Sequence, residues 1–268
     1  MELRKGIMLL KGSPNTLIAG EHVVDPGQPA ERAAEILAAV GKPPKVILTH
    51  FHADHLTATP EGSEVYAPWG EELFVSRVKA RLFFTHGVYV NNAVYKGRDL
   101  NVSGIVRPGD RVGPFEAVPL PGHTFGHLGY YADGLLYAGD ALFGEAVLRK
   151  YGAPYLMDVD AFLTSLEKIR ALEPEVLVMG HGPVAGSRKR INELIDANAA
   201  AVQRAVEVVS RSLPGDVTTL TIRLLKETGG EAQWENVLLT MTTVRAILSK
   251  LSDEGLAHID EEGVWKSL

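Results

Sequence analysis

The stretch Thr49-His50-Phe51-His52-Ala53-Asp54-His55 decides the fold and the chemistry that we expect of this chain. It places three histidines and a carboxylate within six residues, directly after the apolar run 46–49, which predicts a strand buried on both faces. Because side chains alternate along an extended segment, His50 and His52 can point the same way. Imidazole and carboxylate donors without sulfur suit Zn²⁺, Fe²⁺ or Mn²⁺. A metal site is therefore predicted at this strand end.

Three further candidate ligands each stand beside a glycine at the end of a predicted strand. They are His123 in Gly122-His123-Thr124, Asp140 in Gly139-Asp140 and His181 in Gly180-His181-Gly182. Glycine lets the backbone approach closely and adopt unusual φ values. A lone histidine is ordinarily a surface residue or a hydrogen-bonded core residue, but that explanation fits this ordered set poorly. We therefore interpret the set as metal ligands.

The surrounding pattern predicts strands that alternate with helices, which is an α/β arrangement. Strands are predicted at 16–19, 23–24, 46–49, 115–120, 128–132, 135–138 and 176–179, and helices at about 29–40, 158–172 and 187–213. The last fifty-odd residues predict helices near 218–228, 231–239 and 241–254, followed by a hairpin that joins 256–259 to 264–266. Three helices and a hairpin form a winged-helix arrangement. We therefore predict two domains, 1–213 and 214–268.

Composition narrows the class of protein. The chain has 268 residues, of which 46% are hydrophobic and 22% charged, and this is a globular composition. The absence of cysteine excludes disulfides, thiolate zinc fingers, iron–sulfur clusters and cysteine nucleophiles. No apolar run approaches the ~20 residues that span a bilayer, and the start has no signal-peptide pattern, so a cytoplasmic protein without membrane association is predicted. A net charge of −6 disfavours bulk nucleic-acid binding.

The histidine cluster, together with the three later ligands, resembles the metallo-β-lactamase superfamily over about residues 1–210. The resemblance implies a four-layer αβ/βα sandwich with two divalent metal ions, zinc first and iron or manganese as alternatives. Carried over by position, it implies that one ion is held by His50, His52 and His123. It implies that the other is held by Asp54, His55 and His181, with Asp140 as the bridge. Asp25 is implied to orient a ligand, and Asp54 to orient the attacking hydroxide as a catalytic residue.

Three enzyme classes share this motif set. Residues 121–127 and the following 130–140 resemble the glyoxalase II-like branch, which implies a metal-bridging hydroxide that attacks an ester, thioester or lactone. The C-terminal segment and residues 180–184 resemble lactamase-β-like endoribonucleases, so a phosphodiesterase that cuts single-stranded RNA is the alternative. The residues 52–57 are similar to those of persulfide dioxygenases, which hold one iron but lack the C-terminal segment, and this is the third hypothesis. A binding module with a vestigial site is disfavoured because no motif position is missing. The predicted substrate is accordingly a small molecule or single-stranded RNA.

Residues 70–107 form an aromatic-rich stretch with six basic and three acidic side chains, a net charge of +3. Two interpretations stay open. Arg77, Lys79 and Arg81 either form a basic lip for an anionic substrate, or simply face water on an amphipathic helix.

The C-terminal residues 216–268 carry five basic and nine acidic side chains, a net charge of −4. Non-specific DNA affinity depends on neutralising phosphates, and the predicted wing contains Asp260-Glu261-Glu262. We therefore predict that this segment does not bind duplex DNA. It is expected to pack near the pocket or to form a homodimer contact.

Overall fold

A computed structural model describes residues 1–87 and 97–268 of the chain. Of the basic side chains noted in residues 70–107, Lys96 lies outside the described residues. The strands are β1 Glu2–Arg4, β2 Ile7–Leu10, β3 Thr16–Ala19, β4 His22–Val24, β5 Lys45–Ile47, β6 Glu64–Pro68, β7 Val102–Val106, β8 Arg111–Val112, β9 Phe115–Pro119, β10 Leu128–Ala132, β11 Leu135–Gly139, β12 Val176–Met179, β13 Ala257–Ile259 and β14 Trp265–Ser267. The helices are α1 Arg32–Val40, α2 Ala53–Leu56, α3 Glu72–Ser76, α4 Val78–His86, α5 Glu145–Tyr151, α6 Val159–Leu172, α7 Arg188–Arg211, α8 Val217–Thr228 and α9 Trp234–Asp253.

The chain divides into two compact units. The first consists of Met1–Leu120, Gly126–Asp140 and Glu173–Arg188, and the second of Pro121–Phe125, Ala141–Leu172 and Lys189–Leu268. The domain boundary predicted at residue 213 stays a prediction.

The first unit contains two β-sheets. One has seven strands in the order β1 to β7, antiparallel from β1 to β4 and parallel from β4 to β7. The other has the order β12-β11-β10-β9-β8, in which only the β11–β12 pair is parallel. Buried side chains of both sheets form one core, including Leu17 and Ile47 from the first sheet and Phe115, Tyr130 and Tyr137 from the second. The α/β sandwich predicted from the sequence is confirmed.

Hydrogen bonds from buried tyrosines tie this core together. The hydroxyl of Tyr130 donates to the carbonyl of Leu48 at 2.8 Å, and that of Tyr137 donates to the carbonyl of Asn15 at 2.6 Å. Burial raises the pKa of both phenols well above the ordinary value, so both stay protonated donors. The bond to Leu48 attaches the core to the residue two positions before His50, where the predicted histidine cluster begins.

The second unit contains α5 to α9 and the β13–β14 hairpin. The helices predicted at 231–239 and 241–254 are one continuous helix, α9, so that part of the prediction is wrong. The junction Leu239-Thr240-Met241 holds no glycine or proline, and threonine lowers helix propensity by only about a few tenths of a kcal/mol. The winged-helix assignment stays a prediction. Within residues 1–87 and 97–268, no helix has the length and apolarity to cross a bilayer.

Candidate metal centre

The buried carboxylate of Asp25 organises the loop after β5. Asp25 follows β4 with φ +46°, and its side chain accepts three hydrogen bonds. Oδ1 accepts from the backbone N–H of Thr49 at 2.8 Å. Oδ2 accepts from the Thr49 hydroxyl at 2.7 Å and from Nδ1 of His55 at 2.7 Å. The predicted orienting role of Asp25 therefore has a definite geometry, in which one carboxylate holds two neighbouring groups of the histidine cluster.

These bonds select the tautomers of two histidines. A carboxylate can only accept, so Nδ1 of His55 carries a proton in either charge state of the ring, and Nε2 is the nitrogen that can give up its proton to a metal. The Thr49 hydroxyl gives its proton to Asp25, so it accepts from Nδ1 of His50 at 2.9 Å. Nε2 is therefore the nitrogen that both His50 and His55 have left for a metal.

Donor atoms from three loops converge at these nitrogens. One atom each from His50, His55 and Asp140 lie within 4.8 Å of one another, and so do one atom each from Asp54, His55 and His181. Nε2 of His55 lies 3.4 Å from Oδ1 of Asp140, and Nε2 of His181 lies 3.6 Å from Oδ2 of the same carboxylate. Tetrahedral ligands at about 2.1 Å from a metal are about 3.4 Å apart. The donor set therefore fits a divalent metal ion, and each oxygen of Asp140 faces a histidine nitrogen.

Glycine makes this close approach of ligands achievable. A Cβ atom on Gly180 would lie 2.3 Å from Oδ1 of Asp140 and 2.8 Å from the ring of His55. Gly139 has φ +53°, and a Cβ atom there would lie 2.9 Å from Nε2 of His127. Gly180 thus leaves space for the side chains of Asp140 and His55, and Gly139 leaves space for those of His127 and Thr49.

The carboxylates give the centre a negative potential. Burial would lower the pKa of His55, but the charges of Asp140, Asp25 and Asp54 outweigh it and hold the pKa well above the ordinary value. The pKa of His181 is raised in the same way, against burial, by Asp140 and by its 3.0 Å hydrogen bond with Asp54. The pKa of Asp54 is lowered because His55 and His181 together overcome burial, which acts the other way. The site therefore attracts cations, and a metal ion competes there with protons.

His52 and His123 complete the predicted set. His52 precedes α2, and its ring contacts those of His50 and Phe51 at centroid distances of 4.6 and 4.9 Å. His123 belongs to the second unit, where Nδ1 donates to the backbone carbonyl of Tyr155 at 2.9 Å. Its Nε2 therefore keeps the lone pair that ligation requires. The ligand role of His123 stays a prediction.

Sequence reasoning missed the residues that hold the His181 loop. The hydroxyl of Ser13 lies 2.8 Å from Nδ1 of His181. The amide of Asn15 donates to the carbonyls of Met179 and Gly182 at 2.9 and 3.0 Å. Both residues stand in a Gly-Ser-Pro-Asn turn more than 160 residues away in the chain, and no local pattern marks them as partners of this loop.

For Arg81, both interpretations of the basic stretch are wrong. Arg81 is only 3% exposed and donates to the carbonyls of Phe74 and Val75, so it neither meets a substrate nor faces water. Arg77 pairs with Asp99 at 3.3 Å on the surface. The pattern of charged and apolar residues in α4 could not predict this burial, because the carbonyls that accept from the Arg81 guanidinium belong to another helix, α3.

Known proteins of similar sequence identify the family of this chain. The chain matches the metallo-beta-lactamase superfamily over residues 17–181. It is 30% identical over 226 residues to a hydroxyacylglutathione hydrolase of Xylella fastidiosa strain M12, covering 79% of this chain and 75% of that protein. It is 28% identical over 211 residues to a hydroxyacylglutathione hydrolase of Dechloromonas aromatica, covering 76% of this chain and 69% of that protein.

The solved structures agree on the fold. A crystal structure of a metallo-beta-lactamase family protein from Thermus thermophilus superposes with a TM-score of 0.75. The superposition covers all of both chains at 22% identity, a likeness that concerns the fold alone.

Proposed function

Since the chain belongs to the metallo-beta-lactamase superfamily and is a metal-dependent hydrolase of that family, we propose that it holds two divalent metal ions, zinc first, and hydrolyses an acyl thioester. Esters and lactones are the neighbouring substrates of the same chemistry. The thioester is favoured because the similar proteins from Xylella and Dechloromonas are named as hydrolases of hydroxyacylglutathione, which is a thioester.

The observation that carries the proposal is the Asp140 carboxylate, which faces Nε2 of His55 with one oxygen and Nε2 of His181 with the other. We assign Asp54, His55 and His181 to one ion and His50, His52 and His123 to the other, with Asp140 between them. Two divalent ions held by these residues would make hydroxide available at neutral pH and would polarise the carbonyl of the substrate.

The protein's own groups divide the remaining work. The side chain of Asp54 is 32% exposed, whereas that of Asp140 is 5% exposed. Asp54 is therefore the carboxylate that can accept a hydrogen bond from the attacking nucleophile and orient it toward substrate. Thiols such as that of cysteine have a pKa of about 8.5. The leaving group of a thioester can therefore depart as a thiolate, without a proton donated by a side chain of the protein. Asp25 keeps Nδ1 of His55 protonated throughout, so that Nε2 stays a ligand.

The test compares two substrates on one zinc-loaded preparation: a hydroxyacyl thioester of glutathione and a chromogenic phosphodiester. We expect thioester turnover with close to two zinc ions per chain. Asp140→Ala should lose turnover while its circular dichroism spectrum stays that of the parent. Asp253→Asn, which removes an exposed carboxylate on α9, is the control for lost charge and should keep full activity.

Other outcomes would replace this function. Phosphodiester turnover without thioester turnover would establish the nuclease alternative, and one iron per chain with oxygen uptake on a persulfide would establish the dioxygenase. Near-normal turnover by Asp140→Ala would overturn the ligand assignment.

A further inference from the structure

The peptide group between Tyr155 and Leu156 links helix α9 to the loop that carries His123. Nδ1 of His123 donates to the carbonyl of Tyr155 at 2.9 Å. The N–H of the same peptide group belongs to Leu156, and it donates to the hydroxyl of Thr243 at 3.3 Å. In a trans peptide the C=O and N–H point in opposite directions. The hydroxyl that holds the N–H therefore also aims the carbonyl at the histidine.

The Thr243 hydroxyl both accepts and donates a hydrogen bond in this segment. It donates its own proton to the carbonyl of Pro154 at 3.1 Å while it accepts from Leu156. Thr243 is 1% exposed, so water does not substitute for it. These two bonds hold the backbone on both sides of Tyr155. They therefore fix the orientation of the peptide group whose carbonyl accepts from His123.

The segment after Tyr155 binds the same loop at its backbone. The N–H groups of Met157 and Asp158 both donate to the carbonyl of Gly122, at 2.7 and 3.1 Å. The ring of Tyr155 also contacts the ring of His123, with centroids 5.2 Å apart. Because the segment meets the loop on both its backbone and its histidine, a shift in the segment is transmitted to the histidine.

We infer that Thr243 is a positioning residue for His123, and that the C-terminal helix α9 thereby sets the orientation of one metal ligand. The inference rests on the proposed function only in taking His123 as a ligand. Groups that orient ligating histidines typically change metal affinity by about 10–100-fold. It assigns to residues 234–253 a role in the metal centre that is distinct from DNA binding or dimer formation.

The experiment measures zinc affinity by competition with a chromogenic chelator on the full chain. Thr243→Val removes the hydroxyl and should weaken one of two zinc equivalents by about tenfold, leaving the other unchanged. Thr243→Ser keeps the hydroxyl and should restore the affinity. Thr221→Val is the matched control, since Thr221 is also buried, in α8, but its hydroxyl donates to the carbonyl of Val217 within its own helix.

A second measurement needs neither metal nor substrate. In the zinc-free protein labelled with ¹⁵N-histidine, the Nδ1–H signal that is lost in His123→Ala should be protected from exchange. Thr243→Val should remove this protection. If that variant does not fold, Thr243→Ala replaces it, because it adds no methyl group against the peptide.

Two results would overturn the inference: both zinc equivalents bound by Thr243→Val as by the parent chain, or an equal loss in Thr221→Val. An absence of thioester turnover with these binding results intact would remove the proposed substrate alone. An absence of zinc binding in the parent chain would remove the ligand assignment and this inference with it.

Discussion

Replacing Asp25 by Asn tests the centre with almost no change of shape. The parent carboxylate accepts from Thr49 N–H, from the Thr49 hydroxyl and from His55 Nδ1–H, so every contact is a donor facing an oxygen. Asparagine offers one oxygen and one NH₂ group. Either placement of the NH₂ sets a donor against a donor in a fully buried site.

Two conformations of the variant are available, and both are costly. With NH₂ in the place of Oδ1, the Thr49 N–H loses its acceptor, which costs about 1–3 kcal/mol for a buried group. With NH₂ in the place of Oδ2, His55 relieves the conflict by moving its proton to Nε2, and it then has no lone pair for a metal. We expect zinc affinity to fall by about 10–100-fold, the usual effect of removing such a partner.

Competition with a chromogenic chelator measures this affinity, and thermal unfolding of the metal-free protein measures the stability cost separately. Asp253→Asn serves again as the control for a lost charge. If Asp25→Asn takes up two zinc ions with the parent affinity, the tautomer argument for His55 is refuted, whatever happens to activity.

The other predictions concern space, metal and charge. Gly180→Ala should abolish metal uptake because its Cβ would lie 2.3 Å from Oδ1 of Asp140, whereas Gly186→Ala, with nothing within 4 Å of its Cβ, should bind metal normally. Metal removal should lower the melting temperature, since zinc at about a thousand times its Kd adds about 4 kcal/mol to the folded state; a midpoint that does not change with zinc concentration contradicts a folded-state site. Residues 216–268 should give no mobility shift with duplex DNA at low salt, because their net charge is −4, and a tight complex would contradict this.

Much of the candidate metal centre could be predicted because its donor residues stand in short, recognisable stretches of sequence. The pattern from His50 to His55 shows both the donor types and the strand end that carries them. Glycines beside Asp140 and His181 mark places where the backbone must approach closely, and the Cβ distances at Gly139 and Gly180 bear this out. The pattern of apolar residues likewise predicted the bounds of α6 and β12 to within a residue or two. The reason is that α6 buries one face and β12 is buried along most of its length.

The sequence pattern within a segment did not predict which groups a side chain contacts in the folded protein. Arg81 has the sequence context of a solvated helix face, yet its guanidinium is buried against the carbonyls of α3. The break predicted near Thr240 is absent, since packing of an unbroken helix outweighs a small difference in propensity.

The sequence by itself determined which atoms can bind a metal and at which strand ends they lie, because ligand type and strand periodicity are properties of short segments. Only the tertiary structure decided which nitrogen of His55, His181 and His123 is held by a neighbouring group and which is left for the proposed metal. That choice depends on Asp25 for His55, on Ser13 for His181 and on the Tyr155 carbonyl for His123. These partners lie 30, 168 and 32 residues away along the chain. A hydrogen bond acts over about 3 Å of space, and folding alone brings residues so far apart in sequence within that distance.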